Sequence, residues 1–176
     1  MTTISLIAGP NHISFPATSS DNFGTIFTMS GIKANIIRFL THDPILGYTD
    51  VSDFEYIDKG RGYILDITAP GDIIYDGIEY ILTFDQLKSR LVEGLNFVGP
   101  GSVPITPPYW CIVRDIDSVP VTKLEPMNAY LIYYDNCLQP TFNAESALYI
   151  IGAVGTVLFT IYLLREFRII GKPMKE

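Results

Sequence analysis

Apolar and polar residues alternate along most of this chain, in short runs punctuated by Pro and Gly. Residues 11–15 alternate and stop at Pro16, which has no N–H to give to a ladder, so they predict a strand. Ser19, Ser20 and Asp21 then offer an N-cap for a short helix through Phe23, Ile26 and Phe27, with Gly31 just past its end. A second strand is predicted over 35–40. The turn-rich loop THDPILGYTDVSD follows, and Lys59-Gly60-Arg61-Gly62 turns the chain into a strand over 62–67. Residues 73–82, IIYDGIEYIL, read as a strand pair with Asp76-Gly77 as hairpin turn. A linking helix over 84–93 starts in the capping box Thr83-x-x-Gln86 and stops at Gly94. The pattern changes at 147–164, ALYIIGAVGTVLFTIYLL, a run without charge.

Two parts of the chain resemble each other. Residues 57–67, IDKGRGYILDI, align without gaps on 124–134, LEPMNAYLIYY. Both have an apolar residue (Ile57, Leu124), an acid (Asp58, Glu125), a turn, a small residue (Gly62, Ala129), a Tyr (Tyr63, Tyr130) and an apolar strand. Each is preceded by a Gly-x-Asn opening, GPNHISFP from Gly9 and GLNFVGPG from Gly94. Between opening and close lies a middle strand, around Arg38 in one copy and Arg114 in the other. Two copies of one unit, about 60 and about 40 residues long, account for this; chance likeness of short β patterns is the competing explanation. In the second copy the Pro-rich SVPITPPYW stands where the first has its helix. The expected fold is β-rich α+β: two copies of a small strand–helix–strand–strand unit, then a single C-terminal transmembrane helix. The expected divisions are 1–82 for the first unit, 83–140 for the linking helix and second unit, 141–170 for the transmembrane helix and 171–176 for a basic tail.

This order of Gly-x-Asn, strand, Pro, short helix, strand, loop and Gly-Tyr strand resembles a small β-rich repeat. That module opens Gly-Trp-Asn-Leu-Ile-Ser, closes Gly-Lys-Gly-Tyr-Trp and recurs in surface and viral structural proteins. Pro10 and Leu95 stand where the family has Trp. The resemblance implies a binding or assembly module without chemistry of its own.

Charge divides the chain. Residues 1–146 hold eight Lys and Arg against seventeen Asp and Glu, a balance of −9, while 165–176 are near +2. An acidic head is a poor phosphate binder, so nucleic acid is not its expected partner. Cys111 and Cys137 flank one expected sheet unit; a bridge can form between them, and two buried thiols are the plainer expectation. His12 falls in a strand, where a packed or edge position is the default. His42 lies near Asp43, Asp50, Asp53, Glu55 and Asp58, an oxygen-rich loop that fits Ca²⁺ in density but not in EF-hand spacing, and solvated loop acids are the simpler reading. No nucleophile–base spacing, phosphate-cradling Gly loop or Cys-x-x-Cys pair occurs, so neither an enzyme nor a cofactor or metal is expected. Eleven Tyr and ten Phe fit a core, with some Tyr of the closing strands facing out. Pro108, Tyr109, Trp110 and Tyr133 form the candidate interface.

An 18-residue helix at 1.5 Å per residue spans about 27 Å, close to the ~30 Å of a hydrocarbon core. Ala147, Leu148, Ile150, Ile151, Gly152, Gly155, Leu158, Phe159, Leu163 and Leu164 are the expected membrane anchor, with a buried core helix as the alternative. Arg165, Arg168, Lys172 and Lys175 form a stop-transfer flank able to meet anionic headgroups. Gly152 and Thr156 would let a neighbouring transmembrane helix approach. The start, MTTISLIAGPNHISF, has no basic n-region and only a short apolar stretch, so late insertion is expected. The positive-inside rule then conflicts with an untranslocated head. A virion with an internal membrane removes part of that conflict. The expected function is therefore a non-enzymatic, single-pass structural protein, a minor capsid component tethering other structural proteins to a lipid bilayer. The alternatives are a cell-surface adhesion or ligand-binding module and an accessory subunit of a membrane complex.

Overall fold

A computed structural model describes residues 1–137. Its strands are β1 (Thr2–Leu6), β2 (Gly9–Ser14), β3 (Ala17–Thr18), β4 (Ile36–Asp43), β5 (Gly47–Asp50), β6 (Gly62–Ile67), β7 (Gly71–Tyr75), β8 (Ile78–Glu79), β9 (Leu95–Val98), β10 (Val113–Arg114), β11 (Pro120–Val121) and β12 (Tyr130–Tyr133). Two helices, α1 (Phe23–Met29) and α2 (Phe84–Lys88), interrupt them.

The expected fold class needs correction. The unit is a four-stranded antiparallel sheet, ordered β2-β6-β4-β5 in the first half and β9-β12-β10-β11 in the second. In each, the first strand along the chain pairs with the fourth, the fourth with the second and the second with the third. A helix lies between first and second strands only in the first half. In the second half that stretch contains Pro100, Pro104, Pro107 and Pro108, each without a backbone donor, and no helix forms there. Among the described residues no helix is long and apolar enough to cross a membrane. The expected transmembrane helix, with its anchor positions from Ala147 to Leu164 and the flank Arg165, Arg168, Lys172 and Lys175, lies outside the described residues.

Local differences have physical causes. Asn22 caps α1, its Oδ1 accepting the Thr25 N–H, while the Ser19 hydroxyl accepts from Asp21 instead. The capping box at Thr83 forms, yet α2 stops at Lys88: the Arg90 and Leu91 N–H groups already bond three residues back, and Asn96 takes the Val92 backbone on both its N–H and its C=O. The strands at 73–82 do not pair with each other: β7 pairs with β1 and β8 with β3. Gly77 passes there against Thr18, where a Cβ would stand 2.7 Å from the carbonyl oxygen.

Two buried clusters follow the two halves. The first draws on residues from Ile4 to Tyr75 and centres on Phe15, Phe23, Phe27, Phe39 and Tyr63, whose rings meet at 4.8–5.9 Å. The second runs from Tyr80 to Cys137 around Leu87, Val113, Leu124 and Ile132. Tyr80 and Leu82 thus pack with the second half, although the sequence division put them in the first.

Corresponding residues hold corresponding bonds. Gly9 and Gly94 have φ of +97° and +100°, a region that favours glycine. Two residues on, Asn11 and Asn96 each clamp the backbone four residues back, at Ile7 and Val92. The Tyr63 hydroxyl accepts the Asp58 N–H at 3.2 Å, and that of Tyr130 accepts the Glu125 N–H at 2.8 Å. Burial drives the Tyr63 hydroxyl well above the usual tyrosine range.

The halves meet reciprocally, as the partners of a twofold interface do. Ile13 bridges to Asn128, and its counterpart Val98 bridges to Arg61, the counterpart of Asn128. Ser14 N–H donates to Met127 O at 2.9 Å, and Gly99 N–H to Gly60 O at 3.0 Å. Gly60 has φ +81°, and its counterpart Met127 is held at +68° without being glycine. A left-handed conformation costs a side-chain-bearing residue about 1–2 kcal/mol, against about 0.5–1 for the added freedom of Gly. Met127→Gly is therefore expected to raise stability by about 0.5–1 kcal/mol. The midpoint of urea unfolding reads this, and a lower midpoint would contradict it.

Candidate interaction surface

The candidate interface residues stand on the second half. Pro108 O accepts the Cys111 N–H at 2.9 Å, closing a tight turn that projects Tyr109. Tyr109 is 96% exposed. Trp110 is only half-buried: it meets the Phe84 ring edge-on at 6.3 Å, and Lys88 Nζ lies 4.8 Å from its ring centroid. Such a cation over indole is worth about 0.5–1 kcal/mol at an exposed site. The ring is thus held by Phe84 and Lys88 of α2.

Cys111 is bonded to Cys137, both buried. This overrides the plainer expectation of two thiols. The bridge ties the Pro108–Trp110 turn to the 3-10 turn Tyr134–Cys137 that follows β12. Tyr133 ends β12 just before that 3-10 turn, facing out at 48% exposure while Tyr130 and Ile132 face in. The surface therefore offers two aromatic positions on backbone held by a sheet and a covalent tie. Rigid aromatic side chains bury large area at low entropic cost when a partner docks.

No protein-family model, curated protein or solved structure matches the chain.

Four of the five acids of the oxygen-rich loop are individually engaged. Asp43 Oδ1 accepts the N–H groups of Ile45 and Leu46 at 2.9 Å, and those bonds hold its carboxyl below the usual range. Asp53 pairs with Lys33 at 2.8 Å, Glu55 accepts the Ser52 N–H at 2.8 Å and Asp58 lies 3.6 Å from Arg90. Among the described residues no group of three His, Cys, Asp or Glu converges on a point where a metal could sit. His12 is half-buried in β2 and meets its counterpart Phe97 edge-on at 6.4 Å; burial lowers its pKa, partly offset by Asp117.

One feature escaped sequence reasoning. Each end of the seam between halves opens into a cleft. The first is bordered by Lys59, Arg61 and Arg90, the second by Pro126 and Asn128 in place of Lys59 and Arg61. The signal was present in the ungapped alignment of 57–67 on 124–134, where both bases of one copy face uncharged residues of the other.

Proposed function

We propose that the chain is a non-enzymatic structural protein that links a protein assembly to a bilayer, most simply a minor virion component joining a capsid to an internal membrane. The head docks on other structural proteins, and the apolar run 147–164 attaches to lipid. The observation that carries the docking role is Tyr109, almost fully exposed beside a half-buried Trp110 on a turn stapled by a disulfide. An unsupported loop would lose more entropy on binding than this one. Lipid attachment rests on the sequence: eighteen uncharged, mostly apolar residues followed by four bases. Resemblance to the duplicated surface and viral module supports an assembly role without catalysis.

Tyr109→Ser tests the docking role, since it removes a ring that the fold itself does not need. Incorporation into purified particles, quantified by mass spectrometry, is expected to fall at least tenfold, the scale of an interface anchor worth about 2 kcal/mol. Unchanged incorporation of a normally folded variant would sink the reading.

The disulfide favours a second reading, a module on a cell surface, because such bridges persist in oxidising extracellular surroundings and are rare in the cytosol, where a capsid around an internal membrane would assemble. Protease treatment of intact cells separates the two. A surface module is shaved from cells, whereas a capsid component stays with particles and is lost from the shaved fraction.

A further inference from the structure

The two clefts are built from corresponding elements and differ in charge. The first holds at most about 560 Å³ and is bordered by His42, Asp43, Asp58, Lys59, Arg61 and Arg90. In the second, Ile116 stands for His42, Pro126 for Lys59 and Asn128 for Arg61, while Ser5 takes the place that Arg90 has by count from the paired Asn residues. Four basic side chains of one cleft thus have uncharged counterparts in the other. The seam forms in both places, so the fold does not require these bases. We infer that the first cleft is a carboxylate-binding site.

Three of the eight Lys and Arg of an otherwise acidic head border it, with the Lys59 ammonium 5.7 Å from the Tyr80 ring centroid. Their placement is prepared. Arg61 Nε donates to the Thr41 hydroxyl at 3.0 Å, and buried Thr41 is fixed in turn by donating to Gly62 O at 3.0 Å. Arg90 Nη1 donates to Lys59 O at 2.8 Å. Each guanidinium has five N–H donors, so one bond orients it and leaves the rest of the fork for a ligand. Asp43 spends its Oδ1 on backbone N–H groups and Asp58 pairs with Arg90, which leaves Lys59 and Arg61 without a carboxylate partner among the described residues.

The charge of the surroundings selects the ligand. A head near −9 repels polyanions and strongly charged phosphates, while a single carboxylate meets the local cations without bringing more charge than they offset. Planar carboxylate also matches the guanidinium fork in two parallel bonds. The space admits one acidic side chain, a chain terminus or a small organic acid. The carboxylate comes either from a partner polypeptide or from a free monocarboxylic acid.

Isothermal titration of the full chain at low salt tests this with four probes: sodium propionate, a short peptide with a free C-terminal carboxylate, its amidated twin, and sodium phosphate. Saturable binding of propionate assigns a free acid, and binding of the carboxylate peptide alone assigns a polypeptide; either supports the site. The amidated twin is expected to bind at least tenfold more weakly than the free peptide, and phosphate more weakly than the better carboxylate probe. Lys59→Gln and Arg61→Gln are each expected to weaken binding at least tenfold in variants that remain folded, the effect of one charge-assisted bond. Asn128→Gln, in the other cleft, is expected to leave it unchanged. No saturable carboxylate binding, tighter phosphate binding, or full affinity in a folded Lys59→Gln or Arg61→Gln variant would overturn the inference.

Discussion

Gly99→Ala is expected to destabilise the head by at least about 3 kcal/mol, the range of severe overpacking in a well-packed interior. Gly99 and its counterpart Ser14 face each other where the two halves cross. A Cβ built on Gly99 overlaps the Ser14 side chain, which is fully buried. Both backbones are held there by Ser14 N–H to Met127 O and Gly99 N–H to Gly60 O, so neither can withdraw without breaking a seam bond. The remedy is specific. Ser14 Oγ has no hydrogen-bond partner, so Ser14→Gly loses no bond and costs about 0.5–1 kcal/mol of backbone freedom. Combining Ser14→Gly with Gly99→Ala is expected to recover most of the loss. A urea-unfolding double-mutant cycle measures this coupling. Additive costs would show that the two residues do not share the seam.

Removing the disulfide has the second large effect. Cys111 and Cys137 are 26 residues apart, and closing a loop of that length removes about 3 kcal/mol of unfolded-state entropy in the chain-entropy account. The double change Cys111→Ala, Cys137→Ala is expected to lower stability by about 2–4 kcal/mol. It also frees the turn that carries Tyr109. Trp110 is the only tryptophan, so its emission reports on that turn alone. Loss of the bridge is expected to shift the emission to longer wavelength as the ring leaves Phe84 and Lys88. An unaltered spectrum in the folded variant would mean that α2, and not the bridge, holds the surface.

The kinship of the halves was legible wherever a residue type is demanded by backbone geometry. Gly9 and Gly94 need a positive φ, Asn11 and Asn96 clamp the chain behind them, and Tyr63 and Tyr130 receive the N–H five residues back. The helix in each unit was not legible correctly, because the Pro-rich stretch of the second half bars one and α2 lies outside the sheet unit. Nor were the partners of β7 and β8. Asp76-Gly77 has hairpin chemistry, yet β1 and β3 offer longer-range pairing and draw the two strands apart. The length of α2 was not legible either, since Asn96 takes both backbone polar groups of Val92 out of any helix.

The candidate surface was half legible. Pro108, Tyr109 and Trp110 marked an aromatic turn, while the packing of Trp110 under Lys88 and the covalent tie of Cys111 depend on residues far off in sequence. The basic cleft was hidden for a similar reason. Lys59 and Arg61 read as ordinary turn residues until Arg90, delivered by the segment after α2, joins them.

Selective extraction tests the link between assembly and lipid most directly. Particles or membranes containing the full chain are washed first in high salt and then in mild non-ionic detergent, and each fraction is assayed for the chain. Retention through salt, which screens charge pairing at the surface, and release by detergent is the predicted result. Release by salt alone would contradict attachment through the apolar run 147–164 and leave the head as a peripheral protein held by charge.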